Sequence, residues 1–293
     1  MIFLIATILL NTLLAILFKL FPRFGVNTLQ AIVVNYWVCV ITGSLFLGDF
    51  PVSTASVHQS WFPWALLMGV SFISIFNLIG YCTRVAGITT TTIANKLSLV
   101  IPVLLSILLY NESTGIWKIA GIILAIPAVY FTAHEKEKNG KSNLLWPAIL
   151  FVGSGLLDAL VKYVEQGYLP TPAVQAVYTI HVFAVAAVTG TILVLFQFFK
   201  GKMVFEWRNV LAGICLGVPN YFSIYFLIRL FNSHFLQSSA ALPVNNICIV
   251  ITSSIAAILL FREKATPMRI LGLVLSVIAI MLIIFADLYA GRI

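Results

Sequence analysis

Ten stretches of this 293-residue chain are each long and apolar enough to cross a lipid bilayer. They run 2–20, 28–48, 62–83, 88–110, 116–133, 144–164, 172–199, 208–228, 236–261 and 267–289. A span takes about 20 residues, so the nine connections average about ten residues each and leave no room for a soluble domain. In hydrocarbon every backbone N–H and C=O must find a partner inside the protein, which restricts spanning structures to helices and closed barrels. Runs of this length select the helix. The expected fold is an all-α integral membrane protein of ten transmembrane helices, with the lipid bilayer as its medium and any chemistry inside the membrane.

Composition narrows the reading further. Apolar residues make up 61% of the chain and charged residues 9%, against about 45–50% and about 25% in soluble domains. The 22 Phe, 10 Tyr and 6 Trp exclude a disordered chain. The net charge of +8 is scattered among apolar runs and forms no basic stripe, so nucleic acid is not an expected partner. The first run lacks a basic start and a small-residue cleavage site, and reads as a retained helix. Cys39, Cys82, Cys215 and Cys248 stand singly in apolar runs, a pattern of neither a disulfide framework nor a zinc site. No metal and no cofactor is expected. Nor is an enzyme, since no His-x-x-x-His pair, paired-acid motif, Gly-x-Ser-x-Gly elbow or phosphate-cradling loop occurs.

The most polar internal stretch, 134–143 (HEKEKNGKSN), divides the chain into 1–133 and 144–293. The two parts align with each other. One register pairs Lys19 with Lys162, Trp64 with Trp207 and Asn77 with Asn220; small shifts of it pair Gln30 with Gln175 and Gly43 with Gly190. LLYNE ending at Glu112 matches LLFRE ending at Glu263, and the register of that match also pairs Asn95 with Asn246, Lys118 with Arg269 and Gly121 with Gly272. Each part holds five spans, an odd number, so the second must enter the membrane in the opposite sense. Two inverted-topology five-helix repeats are therefore expected, an arrangement typical of secondary transporters.

The run 81–102 (YCTRVAGITTTTIANKLSLVIP), then LLYNE and 121–125 (GIILA), resembles the EamA repeat of the drug/metabolite transporter superfamily; 225–229, 243–263 and 272–275 are the second copy. The resemblance covers essentially the whole chain. It implies the ten-helix inverted-repeat fold, a bacterial inner-membrane location and transport of amino acids, sugars, nucleotide sugars or other metabolites, often against protons. Lys19 and Lys162 resemble the lysine near the end of the first helix of each repeat. Small multidrug-resistance relatives carry a membrane glutamate eight residues before it; here those positions hold Asn11 and Ser154. The proton-for-drug mechanism is thus not implied, and Asp158, one helical turn before Lys162, is its only substitute.

Ionisable residues at membrane depth cost about 2.5–3.5 kcal/mol on insertion scales, which makes each a functional candidate. Lys96 precedes Glu112 by a helical rise of about 24 Å, which places it well inside the membrane. Asp158 falls in the sixth span and His181 in the seventh. Asp158 either pairs locally with Lys162 or serves as a proton site or counter-ion in a cavity. Lys96 either binds a carboxylate or Asp158, or snorkels to the interface; His181 is a buried imidazole or a second proton-coupling candidate. Asn77, Asn95, Asn220, Asn245 and Asn246 offer amide donors and acceptors to a zwitterion without the insertion cost of a charge, and Tyr81, Tyr178, Tyr221 and Tyr225 add amphipathic surface. The expected substrate-binding set is Asn77, Tyr81, Asn95, Lys96, Asp158, Asn220, Tyr221, Asn245 and Asn246. Pro102 and Pro243 flank the asparagines and mark the fourth and ninth spans as gating elements. Gly213 and Gly217 form a small-xxx-small helix contact. Glu112 and Glu263 are expected to cap or tether the helices that follow them.

The function expected from these features is secondary transport of a small polar metabolite, an amino acid among the candidates, by alternating access with proton coupling. A lipid scramblase or another non-transport membrane protein is the alternative, and a monomer or homodimer the expected state. Twelve of the 17 Lys and Arg lie in the connections after the odd-numbered spans: Lys19, Arg23, Arg84, Lys136, Lys138, Lys141, Lys200, Lys202, Arg208, Arg262, Lys264 and Arg269. Lys118, Arg229 and Arg292 lie on the other side. The positive-inside rule then puts both termini outside, whereas the family resemblance implies cytoplasmic termini. A phosphatase active only outside the cytoplasm, fused after Ile293, is expected to be active on the charge argument; a silent fusion would favour the resemblance.

Overall fold

The computed structural model describes residues 1–110, 115–133, 144–232 and 238–290; Glu112 and the linker 134–143 lie outside them. The regular elements among the described residues are helices: α1 Ile2–Leu20, α2 Thr28–Leu47, α3 Phe62–Ala86, α4 Ile88–Leu97, α5 Val100–Tyr110, α6 Ile116–Ala133, α7 Leu145–Tyr168, α8 Pro172–Phe199, α9 Trp207–Asn232, α10 Ser238–Phe261 and α11 Pro267–Ala290. Among the described residues nine segments are long and apolar enough to cross a membrane, with α4 and the start of α5 counting as one (Ile88–Leu105), and α6 is a shorter apolar helix. Side chains such as Leu45, Ile126 and Leu259 point outward from the bundle, a surface suited to lipid and not to water. The protein is a multi-pass helical membrane protein.

Local chemistry sets the helix ends. Asn27 Oδ1 accepts the Gln30 N–H at 3.2 Å to start α2, and Thr171 Oγ1 accepts the Val174 N–H at 3.4 Å to start α8, each satisfying one of the orphan donors of a first turn. The fourth expected span is broken in mid-membrane between Leu97 and Val100. Pro102 has no N–H to give the Ser98 carbonyl four residues back, and the Ile101 N–H takes that carbonyl instead at 2.9 Å. The ninth expected span differs: α10 runs past Pro243 without interruption. Of the two spans marked as gating elements by their prolines, the fourth is interrupted and the ninth is not.

The helices gather around hydrophobic cores, of which two are the largest. One joins α1, α2, α8 and α9 around Ile32, Tyr36, Phe183 and Leu216; the other joins α4, α6, α10 and α11 around Ile93, Leu97, Ala128 and Ile280. Glycines allow the closest approaches. A Cβ on Gly121 of α6 would stand 2.7 Å from the Ala279 carbonyl of α11, and one on Gly272 of α11 would stand 2.8 Å from the Ala128 carbonyl of α6. The register that pairs the two glycines also pairs the two alanines, so each helix uses the same contact on the other.

Contacts among α2, α3, α8 and α9 recur in the same way. Gly43 of α2 meets Ile180 of α8 and Tyr221 of α9, while Gly190 of α8 meets Val33 of α2 and Ile73 of α3. Gly69 of α3 lies on the Val182 carbonyl of α8, and Gly217 of α9 on the Asn35 carbonyl of α2. These contacts match Gly69 with Gly217 and Ile73 with Tyr221, which makes Phe72, and not Asn77, the counterpart of Asn220. This contact register differs by more than a helical turn from the one read from Trp64 and Asn77. Tryptophans recur wherever helices meet headgroups, whereas a glycine against a carbonyl fixes the register.

These contacts generate a stability expectation. Gly272→Val forces a branched side chain against the Ala128 carbonyl and should cost about 1–3 kcal/mol. Gly115→Ala, where nothing lies within 4 Å, should leave thermal unfolding of the detergent-purified protein unchanged; equal melting temperatures for the two variants would contradict the close-packing account.

Candidate functional site

A cavity of about 400 Å³ lies among α1, α3, α4, α7, α9 and α10. Its walls occupy corresponding positions on those helices. Asn11, Leu14, Ala15 and Phe18 of α1 line it, as do Ser154, Leu157, Asp158 and Val161 of α7, their counterparts in the register of Lys19 and Lys162. Phe72, Ile75, Phe76 and Ile79 of α3 face it at the same helical phase as Asn220, Ser223, Ile224 and Leu227 of α9, their counterparts in the register of Gly69 and Gly217. The i, i+3, i+4, i+7 spacing is what one face of a helix presents. Asn95 and Lys96 of α4 and Asn245 and Asn246 of α10 complete the polar part.

The positions correspond but the chemistry does not. Where α1 has Ala15, α7 has Asp158; where α9 has Asn220 and Ser223, α3 has Phe72 and Ile75. One wall therefore carries the charges. The Asp158 carboxylate and Lys96 ammonium lie close enough to interact electrostatically. The broken helix orders this wall: the Ser98 hydroxyl can donate to the Asn95 carbonyl at 2.5 Å or to Asp158 Oδ2 at 3.3 Å, and Asn95 Nδ2 donates to Ser154 Oγ at 2.9 Å.

The opposite wall is neutral and hydrogen-bonded. Asn220 Nδ2 donates to Asn35 Oδ1 at 3.1 Å, the Ser223 hydroxyl to the Asn220 carbonyl at 2.8 Å, and the Thr7 hydroxyl to the Ser223 carbonyl at 3.2 Å. Asn245 and Thr83 both line the cavity, and their buried side-chain oxygens, Oδ1 and Oγ1, have no partner among the described residues. An unpaired buried acceptor costs about 1–3 kcal/mol, so a bound donor would find a ready partner there. Phe18 and Phe76, edge to face at 5.1 Å, and Phe72 supply the apolar surface.

Of the expected site residues, Asn95, Lys96, Asp158, Asn220, Asn245 and Asn246 meet in this cavity. Asn77 and Tyr81 do not. They occupy the face of α3 turned away from it and line a second, open pocket of about 790 Å³ with Arg84, Lys202, Glu206 and Asn209. Hydrogen bonds from Arg208 hold the Glu206 carboxyl below its ordinary range. Tyr221 packs with Phe46 and Phe222. His181 sits edge to face on Trp61 at 4.9 Å, with Nδ1 hydrogen-bonded to the Val177 carbonyl at 2.8 Å, outside the cavity. Asn11, Asn35, Thr83, Ser98, Ser154 and Ser223 are site or supporting residues that sequence reasoning left out of the set. For Asn11 and Ser154 a signal existed: they are the matched pair that precedes Lys19 and Lys162. Asn35 and Ser98 gave none, because their roles depend on partners far away in sequence.

Glu263 also departs from expectation in part. Its carboxylate caps α4, where Oε1 accepts the Ile88 N–H at 2.8 Å and Oε2 the Thr89 hydroxyl at 3.3 Å, and it reaches the helix that follows it through Arg269 at 3.8 Å.

No family model matches the chain. An uncharacterized protein of Haemophilus influenzae is 28% identical to it over 296 residues, a match that covers 97% of this chain and 98% of the relative.

The Asn35–Asn220 bond should be measurable as a coupling. Each single change to Ala leaves a buried amide without its partner and should lower stability by about 1–3 kcal/mol. The double variant should cost less than the sum of the two; strictly additive unfolding free energies would show that the bond contributes nothing.

Proposed function

We propose that this protein is a secondary transporter of the EamA type in the drug/metabolite transporter superfamily, carrying a small zwitterionic metabolite such as an amino acid by alternating access. Its setting is the bacterial cytoplasmic membrane. Residues 1–133 and 144–293 act as inverted repeats that rock about the cavity. The observation that carries this reading is a cavity walled at corresponding positions by α1 and α7 and by α3 and α9, yet holding its carboxylate and ammonium on one side only. Matched walls support two nearly equivalent packings, one open to each face. Unmatched chemistry supports a substrate held in one orientation.

In this mechanism Lys96 meets the carboxylate of the substrate, and Asp158 meets either its ammonium group or a proton. The amides of Asn220, Asn245 and Asn246 complete the polar shell. The apolar part rests between Phe18, Phe72 and Phe76. A volume of about 400 Å³ falls within the usual range of small-molecule sites.

Flux into proteoliposomes tests the proposal. Asp158→Asn should abolish transport driven by a proton gradient while the protein still folds, and Lys96→Ala should raise KM for carboxylate substrates by about tenfold, the effect of losing one charge-assisted hydrogen bond. Unchanged flux and pH dependence in both variants would make these residues structural. Absence of flux for every metabolite tried, together with lipid flipping, would replace the transporter by a scramblase.

A further inference from the structure

We propose that the Glu263 carboxylate is a latch that closes the cavity toward the end of the bundle where Lys19 and Arg269 lie, and that it must let go of α4 whenever the cavity opens to that side. The inference rests on the alternating-access reading above and names the contact that alternation has to break.

Glu263 stands in the turn between α10 and α11, and the turn presents it rigidly. The Glu263 N–H closes onto the Ala257 carbonyl at 3.1 Å while Arg262 adopts a left-handed φ of 53°, a conformation that ends the helix. From there the carboxylate joins three separate segments. It takes the N–H of Ile88 at 2.8 Å at the start of α4, Lys19 Nζ at 3.4 Å at the end of α1, and Arg269 at 3.8 Å at the start of α11. Gly87 makes room for it. A Cβ there would lie 2.7 Å from Oε1, and the backbone holds φ +90°.

The latch sits against the cavity. Lys19 also donates to the Thr83 carbonyl at 3.2 Å, and the side chains of Thr83 and of Phe18, the neighbour of Lys19, are part of the cavity wall. The capped helix carries Lys96 on its last turn, about 12 Å along the helical rise from Ile88, so a shift of the α4 N-terminus moves a binding residue with it. The carboxylate attracts the Lys19 and Arg269 cations and the positive end of the α4 dipole at once. Its removal takes away the attraction that draws the three segments together.

The test uses the full-length protein in vesicles, with the four native cysteines replaced by alanine and a single cysteine placed in the cavity by Ala15→Cys. A membrane-impermeant maleimide is applied to one face at a time. Glu263→Gln should raise the labelling rate from the latch side about tenfold or more, the factor expected for loss of one charge-assisted hydrogen bond, and lower it from the other side. Gly87→Ala should act in the same direction, since its methyl group displaces the carboxylate and leaves every charge in place. Unchanged labelling from both faces in two folded variants would overturn the latch. Failure of both variants to fold would also overturn it, by making Glu263 a structural cap. Labelling needs no substrate: wild-type flux with unaltered labelling defeats the latch alone, while absent wild-type flux defeats the transporter reading.

Discussion

A helix broken inside a membrane frees backbone groups that lipid cannot satisfy, and the rest of the polar architecture follows from where this chain puts its break. Pro102 withholds an N–H, α4 stops at Leu97, and the Ser98 hydroxyl turns back on the Asn95 carbonyl. The same hydroxyl reaches Asp158. The interruption thus falls where it borders a cavity and carries Asn95 and Lys96 into it. Irregular backbone at membrane depth is tolerated in such a place, and that tolerance makes the break a natural location for binding groups.

Around the break, packing and chemistry obey different rules. Close glycine contacts recur at matched positions on α6 and α11, on α2 and α8, and on α3 and α9, because close backbone approach accepts almost no other residue. The cavity walls repeat the same correspondence but are free to differ in side chain. Asp158 and Ala15 line the same cavity from α7 and α1, and Asn220 and Phe72 line it from α9 and α3.

Part of this was legible beforehand. Length and hydropathy mark the membrane helices, since about 20 apolar residues in a row have few other uses. The polar interruptions Asn95, Lys96, Asp158, Asn220, Asn245 and Asn246 are conspicuous for the same reason, and they converge. Asn77 and Tyr81 looked equally good and point elsewhere, because one residue of helical phase, about 100°, separates the face that Phe76 shows the cavity from the face that Asn77 shows the second pocket. The alignment of Asn77 with Asn220 differs from the register that the glycine contacts of α3 and α9 give.

What the sequence determines by itself is the medium and the secondary structure: an apolar chain with few charges must bury its backbone in helices and its side chains in lipid or in each other. Periodicity also limits which residues share a face. The tertiary structure alone decides which faces meet. Glu263 reaches Ile88 from 175 residues away, Asn35 meets Asn220 across 185, and Ser98 finds Asp158 across 60. No local pattern encodes such pairs, because each depends on how whole helices rotate and slide to bring their glycines against neighbouring carbonyls.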